Sequence, residues 1–170
     1  MKRSMRVSEK YFLRGLFLIL VFMLIHDWVP LGSLNDIEAV KVENTADELI
    51  KKTVINAGSI LIVIIITLLF VGKRYPRWAR AWLIIHLLAI MIGAAMAWWV
   101  PYFYGASDEL ITQYQVMFGN THMFLPERNG ITPNTIHVVF HSILLLTWLL
   151  AIYISLTKPK KPNKRHTYRY

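Results

Sequence analysis

Residues Thr53–Gly72 read TVINAGSILIVIIITLLFVG, and from Leu61 to Phe70 only Thr67 interrupts the apolar run. There is no two-residue alternation of apolar and polar side chains, which excludes a strand of a membrane barrel with one face to lipid and one to a wet lumen. In hydrocarbon every backbone amide must find its acceptor inside its own segment, so the stretch is expected to be a helix. At 1.5 Å per residue it covers a bilayer core about 30 Å thick. Three other stretches have the same character: Phe12–Pro30, Ala81–Tyr104 and Pro133–Leu156. The fold predicted is all-α, an integral membrane bundle of four transmembrane helices in one domain over residues 1–157, followed by a basic tail over 158–170.

Composition agrees. Of 170 residues 55% are hydrophobic, and the mean hydropathy of +0.42 is too high for an ordinary soluble chain of this length. There is no cysteine, which excludes disulfides, thiolate nucleophiles, cysteine-ligated zinc and iron–sulfur centres. The formal charge of +9 invites a nucleic-acid reading. The basic residues, however, flank the apolar runs and do not form a face interleaved with aromatics, so no nucleic-acid partner is expected.

The basic residues report topology instead. Fifteen of the nineteen Lys and Arg lie in three places: the start of the chain through Arg14, the segment Lys73–Arg80, and the tail after Thr157. Under the positive-inside rule these three lie on the cytoplasmic side, which places both termini there. Trp28, Trp98, Trp99, Tyr102 and Tyr104 form an aromatic belt at the other boundary. A basic start before an apolar core is also the pattern of a cleaved signal peptide, with Ser33 at the cut. Arg14 within the run, the length of the run and the lack of an A-x-A pattern favour its retention as a span. A bacterial plasma membrane is the expected location, given the compact chain and the absence of N-x-S/T acceptor sites.

Ala89, Gly93 and Ala97 recur at a four-residue spacing in the third span, a pattern that lets helices approach closely. Packing inside the bundle is the expected use, and a homodimer seam the alternative. The second span is read as a lipid-facing wall. The tail KPKKPNKRHTYRY should be disordered and drawn to anionic lipid head groups. Asp36 to Lys52 reads as an amphipathic helix with an i,i+4 pair, Glu48 and Lys52, and the long loop Gly105–Thr132 is expected to be ordered.

Chemistry concentrates near that loop. Asn129-Gly130 is a turn signal, while Thr132 as N-cap and Pro133 as first helical residue would start the last helix. His137 and His141 then share a face one and two turns in, about 6 and 12 Å deep, with Asn134 and Ser142 near an inward-looking face. His26-Asp27 at the end of the first span should lie level with His137. With Asn120, His122 and Arg128 from the loop, these residues make a candidate ligand site on the non-cytoplasmic side, bordered by Asn35 and Asp36.

Three uses stay open. His26, His137 and His141 are candidate metal ligands, or His26 and His137 axial ligands of a haem, although the spacing lacks the glutamate of H-E-x-x-H. Acid–base catalysis or head-group recognition at the outer leaflet is the second, with Arg128 or the Lys51-Lys52 pair holding an anion. A purely structural role, the histidines satisfying Asp27, Asn134 and backbone carbonyls, is the third, suited to an accessory or immunity-like protein. The function these residues favour is binding of a small ligand, metal or lipid head group, and no cofactor is identified. His86 stands apart on the third span and is expected to bond a neighbouring helix.

Overall fold

Phe12, Leu16, Ile19 and Met23 follow one another at spacings of four, three and four, and all four are buried along one side of the first helix. That helix, α1 (Val7–Ile25), is the axis of the structure. The computed structural model describes residues 5–157, so the expectation for the basic tail lies outside the described residues. After α1 come α2 (Ile37–Glu43), α3 (Ala46–Phe70), α4 (Arg77–Ala94), α5 (Val100–Tyr104), α6 (Asp108–Phe118) and α7 (Thr135–Leu156). A five-residue π-turn, Ala95–Trp99, joins α4 to α5. Among the described residues the chain is all-helical, with no strand beyond a single bridge between Arg128 and Ile131.

Among the described residues three helices are long and apolar enough to cross a membrane: Ala46–Phe70, Arg77–Tyr104 (α4 through α5) and Thr135–Leu156. The helix α1 differs, because Glu9, Lys10 and Arg14 fall within its 19 residues. It packs against α7 on one side and α3 on the other, and α7 packs in turn against α4. The central pair, α1 and α7, approaches closely at Gly15, where a Cβ would collide with the Thr147 side chain. Such approach matters where lipid tails remove the hydrophobic drive between helices and leave van der Waals contact to hold them. Ile62, Ile65, Leu68 and Leu69 of α3 are half or more exposed, as a lipid-facing wall requires, while Ala57, Ile60, Val63 and Thr67 turn inward.

One end of the bundle is tied by charge. Glu9 is fully buried, and Arg6 meets its Oε1 at 3.0 Å. The amide of Gly72, just past α3, donates to both carboxylate oxygens at 3.2 Å, and the Arg6 amide donates to Oε2 at 2.8 Å. Arg6 also donates to the backbone carbonyl and hydroxyl of Thr157, each at 3.1 Å, and Arg80 to the Ser155 carbonyl at 3.2 Å. These carbonyls at the end of α7 lack intrahelical donors, and cations suit the negative end of a helix dipole. Burial first, and the Glu9 carboxylate second, hold the Tyr75 phenol above its ordinary range. It lies in the loop between α3 and α4.

Three expectations are overturned. The single amphipathic helix over Asp36–Lys52 is divided, because Thr45 and Glu48 form a reciprocal capping box that starts α3 at Ala46. Glu48 therefore bonds Thr45, Lys51 pairs with Asp47, and Lys52 reaches Asn44, so the Glu48–Lys52 pair does not form. The last helix begins two residues later than expected: Asn134, not Thr132, is its N-cap, its side chain accepting from the His137 amide at 3.2 Å. The small-residue stripe Ala89, Gly93 and Ala97 is not inside the bundle, since all three are exposed and nothing lies within 4 Å of a Cβ on Gly93. Gly93→Leu is accordingly expected to shift unfolding in detergent by no more than about 0.5 kcal/mol. A larger loss would mean that a second copy covers that face, as the homodimer alternative requires.

Candidate functional site

At the end of the bundle away from Glu9, α1, α2, α3, the π-turn, α6 and α7 converge around a cavity of about 300 Å³. The sequence explains how each wall gets there. Asp36 caps α2 by accepting from the Ala39 amide at 3.0 Å, and Asn35 pins the preceding turn through His26 and Val29 carbonyls at 2.7 and 2.8 Å. Ser107 caps α6, which then packs on α2. Asn129 and Gly130 both take positive φ, 51° and 74°, in the turn that returns the chain to α7.

Pro101 has no amide hydrogen to offer the preceding turn. The π-turn accommodates it: the Val100 amide donates back to Ala95, and the Ala97 carbonyl receives the Tyr114 hydroxyl of α6 at 2.5 Å. Burial holds the Tyr114 phenol above its ordinary value, so it stays a donor. The extra residue of the turn points Trp98 toward the cavity and Trp99 toward His141.

His26 and Asp27 both line the cavity, with Nε2 of the ring 3.2 Å from Asp27 Oδ2 and Nδ1 2.9 Å from the Phe22 carbonyl. Both ring nitrogens face oxygens that only accept, so the ring is held on two sides. Its plane stacks on Phe22 at 4.3 Å, and Phe22 on Phe140 at 4.1 Å.

His137 is the floor. Its Nδ1 lies 2.6 Å from Asn134 Oδ1, while the Asn134 amide nitrogen donates to Thr121 Oγ1 at 3.2 Å. The cap thereby fixes the tautomer, because Asn134 offers His137 an acceptor and the ring must place its proton on Nδ1. Nε2 keeps its lone pair and has no partner among the described residues. Trp98 and Phe118 wall the ring at 4.4 and 5.5 Å, and the His26 ring lies 6.0 Å away.

The other candidates are placed elsewhere. His141 is buried one turn deeper, its Nδ1 accepting from Trp99 Nε1 at 3.1 Å. Ser142 is exposed, against the expectation of an inward face. His122 and Asn120 are exposed; the His122 ring lies 2.7 Å from Thr135 Oγ1, and its amide donates to the Ser33 carbonyl at 2.6 Å, clamping loops outside the cavity. The Arg128 guanidinium stands 5.6 Å over the Phe103 ring. As placed, His26, His137 and His141 do not converge: successive rings are 6.0 and 6.1 Å apart, and among the described residues no three His, Asp or Glu side chains are arranged to hold a metal.

Glu43, Asn44, Gln113 and Tyr114 line the cavity without having been singled out in the sequence, and Lys52, one of the pair expected to hold an anion, lines it too. The capping box at Thr45 is the signal that could have placed Glu43 and Lys52, since it ends α2 at Glu43 and sets Lys52 two turns into α3. His86 stacks on Trp82 at 5.5 Å, and its buried Nε2 has no partner in the chain, so the expected bond to a neighbouring helix is not made at that atom. Comparison with family models, curated proteins and solved structures found no match to this chain.

Proposed function

We propose that the chain is a four-span membrane protein, both termini on the cytoplasmic side, that binds a small polar ligand or lipid head group in the cavity at its non-cytoplasmic end. The observation that carries the reading is the unpartnered Nε2 of His137 on the floor of a cavity built by six elements. A volume of about 300 Å³ lies within the range of small-molecule sites. Its charged walls are of both signs, Asp27 and Glu43 against Lys52. The ligand this suits is zwitterionic, with a hydrogen-bond donor such as an ammonium group for His137 Nε2 and an acidic group for Lys52. A fourth span is consistent with α1 because its one acid, Glu9, is paired with Arg6, and Lys10 and Arg14 both lie in its first half, toward the proposed cytoplasmic side. Acid–base catalysis is not favoured by any observation here, since no nucleophile adjoins His137.

Two measurements test the reading. The chain has no cysteine, so single substitutions can be labelled without background. In intact cells Lys41→Cys and Glu109→Cys should react with an impermeant maleimide, and Lys10→Cys and Arg74→Cys only after lysis. Labelling of Lys10→Cys from outside would remove the fourth crossing. For binding, phosphoethanolamine should raise the unfolding temperature of the purified protein, phosphocholine, whose quaternary nitrogen has no N–H to donate, should raise it less, and His137→Ala should weaken the phosphoethanolamine effect about tenfold or more while leaving the unliganded protein folded. A variant destabilised by about 1–3 kcal/mol, with no head-group effect in either protein, would instead make the histidine a structural residue.

A further inference from the structure

A second cavity, of about 240 Å³, opens between α4, the π-turn and α7, one helical turn below the first site. Ala94 and Ala95 make the room by contributing only methyl groups, and Met91, Leu144 and Leu145 make the rest of its surface apolar. Trp99 forms a flat wall. Two polar side chains reach it, and one of them is already spent: the Ser142 hydroxyl donates to the Val138 carbonyl at 2.8 Å.

The other is His141, nine-tenths buried. Indole nitrogen only donates, so the bond from Trp99 Nε1, 3.1 Å long, claims the lone pair of His141 Nδ1. A neutral ring so held carries its proton on Nε2. Among the described residues that Nε2 has no partner, and His141 lines the cavity. Its Nε2–H is therefore the one unspent donor on a residue of an otherwise apolar wall.

An N–H group in such surroundings selects for an acceptor, and the walls select for an apolar body. A cavity of about 150 Å³ is enough to hold benzene, so 240 Å³ admits a substituted or fused ring. We propose that this cleft binds a lipid-soluble ring carbonyl, of the quinone type, with one carbonyl oxygen accepting from His141 Nε2 and the ring against Trp99. The site is separate from the head-group cavity and stands or falls without it.

Menadione is a suitable probe, because it bears ring carbonyls and the cysteine-free chain cannot form thiol adducts with it. In detergent solution it should quench tryptophan fluorescence saturably. Methylnaphthalene, the same skeleton without carbonyls, should not displace it at equal concentration. His141→Phe, which removes the donor, and Ala94→Phe, which fills the space and keeps it, should each weaken binding about tenfold or more. Non-saturable quenching, equal displacement by methylnaphthalene, or unchanged affinity in either variant would overturn the proposal and leave an apolar groove that any acyl chain can fill. If His141→Phe fails to fold, Ala94→Phe and the displacement experiment decide.

Discussion

Glu9→Ala is expected to lower stability by about 3–5 kcal/mol, the usual cost of removing one partner from a buried ion pair. The carboxylate has no contact with solvent, and three donors converge on it: the Arg6 guanidinium and amide and the Gly72 amide. Without it Arg6 keeps its bonds to the end of α7 but its charge is left mostly buried and unbalanced, and the Gly72 amide loses its acceptor. Glu9→Gln retains an acceptor and loses the charge, so it should fall between the wild type and alanine. Equilibrium unfolding in mixed detergent and SDS micelles measures all three. A loss for Glu9→Ala under about 1 kcal/mol, the scale of a surface ion pair, would show that the cluster is solvated and that α1 is not fixed by it.

Gly15→Ala is the second large effect, about 1–3 kcal/mol from overpacking at the contact of α1 with α7. Alanine is the better helix former by about 1 kcal/mol, so a net loss here reports packing and not helix propensity. The added methyl collides with the Thr147 side chain, which is itself buried and fixed by its bond to the Ile143 carbonyl at 2.7 Å. Thr147→Ala removes the obstacle, and the double variant should therefore recover most of the loss. Strict additivity of the two changes, measured in the same unfolding assay, would refute the contact.

The long apolar helices could be read in the sequence because lipid leaves a chain few other ways to satisfy its backbone, and residues such as Leu61–Phe70 have no polar alternation to suggest otherwise. What was not readable depended on contacts between distant segments. Gly15 looks unremarkable in α1, while Gly93 looks like a packing glycine, yet only the first has a neighbour. Thr132 and Asn134 are equally good caps by residue type; the bond from Asn134 to Thr121, and the one it offers His137, decide between them.

The site was half legible for the same reason. His26, Asp27 and His137 meet because the end of α1 and the start of α7 reach the same end of the bundle and each residue lies within a turn of it, a property that spacing carries. Glu43, Gln113 and Tyr114 arrive on α2 and α6, short helices that fold against each other, and His122 and Arg128 are drawn off by Thr135 and Phe103. Nothing local to those residues announces either outcome. The capping box Thr45-Ala-Asp-Glu48 did announce the break before α3, and would have placed Lys52 correctly.

The Glu9 cluster also has a meaning in the order of synthesis. The carboxylate is made long before Gly72: that contact waits for 63 more residues, and the bonds from Arg6 to Thr157 wait for 151. When α1 leaves the ribosome, only the Arg6–Glu9 pair of this cluster can therefore form. Of the described helices α1 is made first and fully secured last, and the end of α7 acts as the latch that closes it.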